Sequence, residues 1–159
     1  MGSLTVVRSP HPKSPDDMQV NFTRLDPEQG IPMKSHIGDA AIDLQSRIDV
    51  VLQPGERMAV PTGVAVAIPP GFAGLVLARS GHALRSGVGV VNGPGLIDSG
   101  YRGEVAVILI NHGSDPVSFA RGDRIAQLTV VPVPEVEWTE VPELDETGRG
   151  DGGFGSTGV

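Results

Sequence analysis

Short runs of apolar residues, each ended by glycine or proline, constrain the fold of this chain more than any other feature. Residues 64–68 are followed by Pro69-Pro70-Gly71, and residues 50–52 by Gln53-Pro54-Gly55. No segment keeps a helical period, whereas β-branched runs bounded by turn residues are typical of strands. Because 22 glycines and 14 prolines supply turns throughout the 159 residues, the sequence predicts an all-β domain with at most one short helix.

One turn-rich segment carries more reactive side chains than a turn needs. Residues 92–104, Asn-Gly-Pro-Gly-Leu-Ile-Asp-Ser-Gly-Tyr-Arg-Gly-Glu, lie between the apolar runs 88–91 and 105–110, which predicts a strand, an elaborate hairpin and a second strand. Tight turns free backbone N–H and C=O groups, and a fixed pattern of these groups can recognise one hydrogen-bonding edge of a ligand and reject analogues that lack the match. Asp98 follows the apolar pair Leu96-Ile97, so we expect its carboxylate to be partly desolvated and more basic than a surface aspartate.

The composition of the chain limits the kinds of molecule that this protein is expected to bind. The net charge of −7 argues against a general nucleic-acid-binding surface. The absence of cysteine excludes disulfides, thiolate zinc sites and a cysteine nucleophile. The four histidines, at positions 11, 36, 82 and 112, lack the spacing of metal ligands, so no separate metal site is predicted. The N-terminal residues do not resemble a signal peptide and no stretch reaches membrane-spanning length, so we expect a cytoplasmic protein that binds neither nucleic acid nor membrane.

The length predicts one domain with an extension at each end. Residues 1–18, rich in proline and polar residues, are predicted to be a weakly ordered N-terminal extension. Residues 19–146 are predicted to form the β domain, in which residues 20–25 alternate like a first strand. Residues 147–159 are predicted to be a flexible, glycine-rich C-terminal arm.

Two short segments place polar side chains at the ends of predicted strands. Gly38-Asp39-Ala40-Ala41-Ile42-Asp43-Leu44 brings an aspartate to a strand start, where it is ordinarily a turn or cap residue. Arg79-Ser80-Gly81 follows a predicted buried strand, and free backbone N–H groups beside a hydroxyl there bind anions. Ser80 is equally suited to cap a helix. Each segment taken alone is a weak signal.

Two further segments lie near the C-terminal end. Residues 119–128, Phe-Ala-Arg-Gly-Asp-Arg-Ile-Ala-Gln-Leu, contain Gln127, and we expect Asp123 and Arg124 to hold the turn before a strand. The glycine-rich residues 148–158 are typical of a disordered end. They differ from a plain linker because they also carry Arg149, Phe154 and two hydroxyl residues.

In this order, the segments around residues 38–44, 79–81, 92–104, 119–128 and 148–158 resemble the five motifs of the trimeric dUTPase family, the deoxyuridine 5′-triphosphate nucleotidohydrolases. The resemblance spans roughly residues 38–158, most of the chain. It departs from the family at Ala41, where glycine is common, and at His82, where leucine is frequent. We assign His82 a structural or solvent-facing position rather than a catalytic one.

The resemblance implies a distorted jelly-roll subunit of the β-clip, dUTPase-like kind, assembling as a homotrimer with active sites at subunit interfaces. It implies hydrolysis of dUTP to dUMP and pyrophosphate, by Mg²⁺-assisted in-line attack of water on the α-phosphorus. That activity keeps uracil out of DNA and supplies dUMP for thymidylate synthesis. Mg²⁺ suits this chemistry, because it prefers oxygen ligands and arrives with substrate phosphates.

The resemblance also implies a role for individual residues. Asp98 is the general base, Gln127 lies near the phosphates and the attacking water, and Arg149 pairs with the γ-phosphate. Asp43 holds the metal indirectly, through a Mg²⁺-bound water. Tyr101 lies under the deoxyribose, and Phe154 stacks on uracil. The implied substrate-binding residues are Arg79, Ser80, Gly81, Asn92, Gly95, Ile97, Tyr101, Phe154, Gly155, Ser156 and Thr157.

Two other functions compete with this one. A dCTP deaminase shares the general fold, but the uracil hairpin and the tail with Arg149 resemble the hydrolase, and the deaminase-type Ser-Ala-Arg pattern is missing. The other alternative is a trimer that binds nucleotide or a partner protein without turnover. An intact Asp98 and C-terminal arm argue against that alternative.

Overall fold

The computed structural model describes residues 18–152 as a β protein with one short helix, as predicted. Helix α1 (Ser80–Ser86) lies between the fifth and sixth strands. In that part of the chain, no helix is long and apolar enough to cross a membrane. The strands are β1 (Asn21–Arg24), β2 (Ile42–Gln45), β3 (Val50–Leu52), β4 (Arg57–Ala67), β5 (Phe72–Ala78), β6 (Val88–Val90), β7 (Gly95–Ile97), β8 (Glu104–Asn111), β9 (Val117–Phe119) and β10 (Arg124–Pro132).

The strands form two four-stranded sheets and a two-stranded ribbon. The first sheet has the order β1-β4-β8-β6, the second has the order β2-β10-β5-β7, and β3 pairs with β9. All strand pairings within residues 18–152 are antiparallel. Because consecutive strands repeatedly change sheet, the chain winds around one shared interior instead of building each sheet in turn.

That interior is the apolar core between the two sheets. Along β8, Val105, Val107 and Leu109 are buried while the residues between them face outward, which is the two-residue period of a strand. Leu44 and Leu128 of the second sheet belong to the same buried cluster. The two sheets therefore pack face to face through alternate residues of their strands.

The segment 92–104 is more than the predicted hairpin. Its flanking strands β6 and β8 do pair, with Val90 opposite Leu109. Residues 95–97, however, form β7, which leaves that sheet and pairs with β5 of the other, Ile97 lying opposite Gly74. A Cβ added at Gly74 would lie 3.2 Å from the Cβ of Ile97, so this crossing is closely packed. Sequence periodicity did not show β7, because three residues are too few to display alternation.

The predicted domain boundaries are only partly covered by the described residues. Strand β1 confirms the first strand expected within residues 20–25, and it occupies the edge of its sheet beside β4. At the other end, β10 ends at Pro132, and residues 133–151 are exposed and contain no strand or helix. The extents of the N-terminal extension and of the C-terminal arm remain predictions.

A charged network ties the loop after β1 to the rest of the domain. Asp26 Oδ2 lies 2.9 Å from Nη2 of Arg121 and 3.5 Å from Nε of Arg47. Arg47 also reaches Glu104 at the start of β8, at 3.4 Å. Burial raises the pKa of Asp26, but the N–H of Glu28 and the guanidinium groups of Arg121 and Arg47 outweigh burial and hold that pKa below its ordinary value of 3.8.

This lowered pKa predicts how the network responds to acid. A carboxylate with a lowered pKa stabilises the fold above its ordinary pKa, and that stabilisation is lost as the pH falls through the folded-state pKa. We expect Asp26→Asn to be less stable than wild type at about pH 7, and this difference to be smaller at about pH 3, because protonation of Asp26 removes the stabilisation as the pH falls below 3.8 towards the folded-state pKa. Denaturant unfolding at both pH values measures this, with exposed Asp115→Asn as the control. A constant stability gap between D26N and wild type at both pH values would contradict the expectation.

Candidate functional site

A cavity of about 550 Å³ opens where β2, β5, β10 and α1 meet, and we call it the arginine cavity. Strand β10 is central to it, because Gln127 lies opposite Asp43 of β2 on one side and Leu77 of β5 on the other. This pairing brings three predicted motif segments to one place. The cavity is lined by Ser35, His36, Asp39, Ala40, Ala41, Asp43, Leu77, Arg79, Ser80, Gly81, Arg85, Arg124, Gln127 and Thr129.

The carboxylate of Asp43 is the hub of this cavity. Its Oδ1 lies 3.0 Å from Nε of Arg79, and its Oδ2 lies 3.2 Å from Nη1 of Arg124. The hydroxyl of Ser35 donates a hydrogen bond to the same Oδ2 at 2.9 Å. The two guanidinium groups are thus held side by side by one anion.

The cavity carries an excess of positive charge in a protein whose net charge is −7. Three arginines line it against two aspartates, Asp43 and Asp39. Asp39 already takes part in a local hydrogen bond, because its Oδ2 accepts from the backbone N–H of His36 at 2.7 Å. A local cationic surface of this kind attracts anions, and guanidinium groups match phosphate geometry well.

Helix α1 begins at the second of the predicted motifs. Arg79, not Ser80, occupies the N-cap position, with an extended backbone and no side-chain capping bond. The alternative in which Ser80 caps the helix is therefore wrong by one residue. Ser80 is exposed and lines the arginine cavity together with Gly81.

His82 has a structural environment, as expected for that departure from the family pattern. Its ring packs edge-on against Phe119, with the ring centroids 5.0 Å apart and the planes at 87°. Its Nε2 lies 2.9 Å from the backbone carbonyl oxygen of Arg124. Because a carbonyl oxygen only accepts, Nε2 carries the proton in that contact.

The alanine at position 41 does not disturb the strand that carries Asp43. Leu128 stays opposite Ile42 and Gln127 opposite Asp43, so β2 keeps an unbroken register there. The hydroxyl of Thr129 also donates to the backbone carbonyl of Ala40 at 2.8 Å.

A second cavity of about 300 Å³ is formed by the turns and strands of the segment 92–104, and we call it the hairpin cavity. The predicted base- and sugar-binding residues of that segment all line it. Its walls are otherwise largely apolar. It is lined by Ala59, Val76, Val90, Asn92, Gly95, Leu96, Ile97, Asp98, Tyr101, Glu104, Val105, Ala106, Val107 and Ile108.

Local hydrogen bonds hold Tyr101 in this cavity. Its hydroxyl donates to the backbone carbonyl of Glu104 at 2.9 Å, and its backbone N–H donates to the carbonyl of Asp98 at 3.1 Å. A Cβ at Gly103 would lie 2.7 Å from Cζ of the tyrosine ring, so a side chain at that position would displace the ring. A residue larger than glycine at position 103, directly before β8, would therefore change the position of the tyrosine in the hairpin cavity.

Asp98 is exposed in the single chain, so the expected desolvation by Leu96-Ile97 is wrong there. Strand β7 alternates: Gly95 and Ile97 are buried, while Leu96 is 64% exposed. Asp98 follows on the same outward side as Leu96, because side chains two residues apart share a face. Adjacent apolar residues in the sequence consequently do not enclose the carboxylate.

The two cavities have no lining residue in common. Asp98 and Tyr101 line the hairpin cavity, whereas Asp43, Arg79 and Gln127 line the arginine cavity. One chain therefore brings together the residues predicted for the base and sugar, and separately those predicted for the phosphates, but does not join the two sets.

The predicted arm residues lie apart from both cavities or outside the described residues. Arg149 is on the exposed segment that follows β10, and its Nε donates to the carbonyl of Gly152 at 3.0 Å. Phe154, Gly155, Ser156 and Thr157 lie outside the described residues, so their assignment remains a prediction.

Sequence reasoning treated Arg124 as part of a turn and missed its place in the arginine cavity. In a regular strand, Arg124 and Gln127 would face opposite sides, since they are three residues apart. The register of β10 against β2 shifts between Arg124 and Ala126, and this irregularity allows both residues to line the same cavity. Only the bulge, which the sequence does not display, identifies Arg124.

These features define a class: a β protein of two packed sheets with a cationic cavity suited to polyanions and a separate cavity shaped by backbone turns. The sequence model of the dUTPase family matches residues 28–158. The deoxyuridine 5′-triphosphate nucleotidohydrolase of Anaeromyxobacter sp. (strain Fw109-5) is 57% identical over 132 residues, which cover 83% of this chain and 90% of that protein. The enzyme of the same name from Nocardia farcinica (strain IFM 10152) is 55% identical over 140 residues, covering 87% of this chain and 85% of that protein.

Solved structures agree with this result. The dUTPase of Staphylococcus bacteriophage 80alpha with dUPNHPP superposes with a TM-score of 0.81 at 30% identity, covering 89% of this chain and 99% of that chain. A mutant dUTPase from phage phi11 of S. aureus, described with a structural Mg(II) ion, gives a TM-score of 0.74 at 26% identity, covering 81% of this chain and all of that one (100%). The chain belongs to the dUTPase family, and the prediction of a jelly-roll-like subunit is confirmed.

The hub role of Asp43 predicts a stability effect. Asp43→Asn leaves the guanidinium groups of Arg79 and Arg124 adjacent without their shared anion. Because these side chains are partly exposed, we expect the free energy of unfolding to fall by only about 1 kcal/mol at low salt, and by less at high salt. Denaturant unfolding at two salt concentrations measures the effect. Asp39→Asn, in the same cavity, is the matched control, and an equal salt dependence in both variants would count against the hub.

Proposed function

We propose that this chain hydrolyses dUTP to dUMP and pyrophosphate. The observation that carries the proposal is the arginine cavity, a cluster of three guanidinium groups in an acidic protein, in a chain that belongs to the dUTPase family. The relatives named deoxyuridine 5′-triphosphate nucleotidohydrolase and the structure with dUPNHPP support the same reaction. We place the activity in the cytoplasm, with which a chain that carries no cysteine is compatible.

We assign the uracil and the deoxyribose to the hairpin cavity. The backbone around Asn92 and Gly95 presents N–H and C=O groups to one edge of the base, and Ile97 closes the inner wall. Tyr101, held by its bond to the carbonyl of Glu104, lies under the sugar and occupies the space that a 2′-hydroxyl would need. A site that hydrogen-bonds one base edge rejects bases lacking the match strongly.

We assign the triphosphate to the arginine cavity. Ser80 and Gly81 offer a hydroxyl and backbone N–H groups, and Arg79 and Arg124 offer guanidinium groups already positioned by Asp43. Charge-assisted hydrogen bonds from such groups neutralise the charge that develops during phosphoryl transfer.

The oxygen donors of this cavity fit Mg²⁺ held through water. Asp43 supplies a hard carboxylate donor that is 17% exposed, but its oxygens already accept from Ser35, Arg79 and Arg124. Within residues 18–152 no cluster of three metal-ligating side chains is found, so the protein offers only part of a coordination shell. This fits an ion carried by substrate phosphates, with Asp43 holding one of its waters. When bound, Mg²⁺ would neutralise phosphate charge.

The separation of the two cavities supports a site shared between copies of this chain. We propose a homotrimer in which Asp98 from one subunit faces Gln127 and Arg79 of a neighbour. The arm from a third subunit would then contribute Arg149, Phe154, Gly155, Ser156 and Thr157. Docking of a second subunit over the exposed Asp98 would also desolvate its carboxylate and make it a better base.

In this site the reaction proceeds by in-line attack on the α-phosphorus. Gln127 orients a water, and Asp98 takes its proton as the new P–O bond forms. The bond between the α-phosphorus and the bridging oxygen breaks, and pyrophosphate leaves with charge stabilised by Arg79, Arg124 and Arg149. Removal of dUTP keeps uracil out of DNA, and the dUMP that is released is available for thymidylate synthesis.

Product analysis tests the proposed function. The purified protein with Mg²⁺ is given dUTP, UTP, dTTP and dCTP in turn, and nucleoside monophosphate, pyrophosphate and ammonia are measured. We expect dUMP and pyrophosphate from dUTP, with turnover of the other three lower by orders of magnitude. Ammonia from dCTP would instead identify a deaminase, and binding without any product would identify a nucleotide-binding protein.

Replacement of the proposed base gives a sharper expectation. Asp98→Asn preserves the shape of the side chain but removes most of its ability to accept a proton, so kcat should fall by about 10²–10⁴. Binding of dUPNHPP should change little, because Asp98 acts on the water rather than on the nucleotide. Steady-state kinetics and calorimetry measure the two effects, with Asp115→Asn as a surface control. Turnover of D98N near that of wild type would reject Asp98 as the base.

A further inference from the structure

We propose that Arg85 is a substrate-binding residue that recognises the polyphosphate, an inference that rests on the proposed function. Neither the family motifs nor the sequence reasoning above assigns it a role. It lines the arginine cavity together with Ser80 and Gly81, although it belongs to the last turn of α1.

The side chain of Arg85 runs back along α1 to the motif that begins it. A Cβ built on Gly81 would lie 3.0 Å from Nη2 of Arg85 and 3.2 Å from its Nη1. This direction is the ordinary one for a long helical side chain, which covers the turn N-terminal to its own Cα. The guanidinium group consequently lies directly beside the backbone of Gly81, where a larger residue would crowd it.

The three arginines of the cavity differ in how their charge is used. Arg79 and Arg124 both form ion pairs with Asp43, so part of their charge is already neutralised. Among residues 18–152, no carboxylate lies within ion-pair distance of Arg85, and no acceptor lies within hydrogen-bond distance of its guanidinium group. Arg85 is exposed, so no buried acceptor in the fold fixes its guanidinium group. Arg85 instead carries an uncompensated charge at the edge of a cavity that already holds two guanidinium groups.

That placement predicts selectivity for charge rather than for the base. Three guanidinium groups near one another repel, and the arrangement is relieved when a polyanion enters. A triphosphate carries more negative charge than a monophosphate and reaches further from the nucleoside. Arg85 should therefore contribute to the affinity for dUTP much more than to the affinity for dUMP.

The test compares the affinity of full-length variants for dUPNHPP and for dUMP by calorimetry. Arg85→Gln should weaken dUPNHPP binding by about 10-fold to 100-fold, the range of one hydrogen bond to a charged group, and leave dUMP binding within about twofold. Arg85→Lys keeps the charge and should recover much of the loss. Arg57→Gln, which removes an exposed arginine of β4 outside both cavities, is the matched control and should bind both ligands as wild type does.

The same proteins separate this inference from the proposed function. If wild type hydrolyses dUTP and R85Q binds dUPNHPP as tightly as wild type, the role of Arg85 is rejected alone. An equal loss of dUPNHPP and dUMP affinity in R85Q also rejects it, because a disturbed fold would weaken both. If wild type binds dUPNHPP but releases no dUMP from dUTP, the proposed reaction fails, while a selective loss of dUPNHPP binding in R85Q still supports Arg85 as a polyphosphate ligand.

Discussion

The ion pairs of one carboxylate with two arginines connect segments that are distant in the sequence. Asp43 comes from β2, Arg79 directly follows β5 and Arg124 begins β10, and the three meet because β10 lies between β2 and β5. Strand pairing brings the three side chains together, and the carboxylate of Asp43 offsets the repulsion between the two guanidinium groups. The arginine cavity depends on both.

The alternation of side chains along each strand explains why the polar residues of the arginine cavity do not destabilise the core. Leu44, Ala126 and Leu128 alternate with the cavity residues of their strands and point into the interior between the sheets. Each strand of this region thus has an apolar side that stabilises the fold and an outward side that is available for chemistry. A substitution on one side can therefore affect binding without necessarily affecting packing.

Much of this structure could be predicted from the sequence, and what could not has identifiable causes. Glycine and proline residues at the ends of short apolar runs predicted an all-β chain. Motif residues such as Arg79 and Gln127, which the sequence singled out, lie in one cavity. Arg124 was missed because a bulge shifts its register, and β7 was missed because three residues show no period. The exposure of Asp98 could not be predicted either, because adjacency in sequence differs from adjacency on a strand face.

The crossing of β7 between the sheets also restrains the position of Asp98 in the absence of a ligand. Ile97 is buried in the common core, and Asp98 is the next residue, so the carboxylate extends from an anchored strand rather than from a free loop. A group that is already restrained loses little conformational freedom when its partner binds, and residues 133–151, which are exposed, have no comparable anchor in the core. The two segments therefore differ: core packing anchors the segment that ends at Asp98, whereas the described residues around Arg149 are exposed and lie outside any strand or helix.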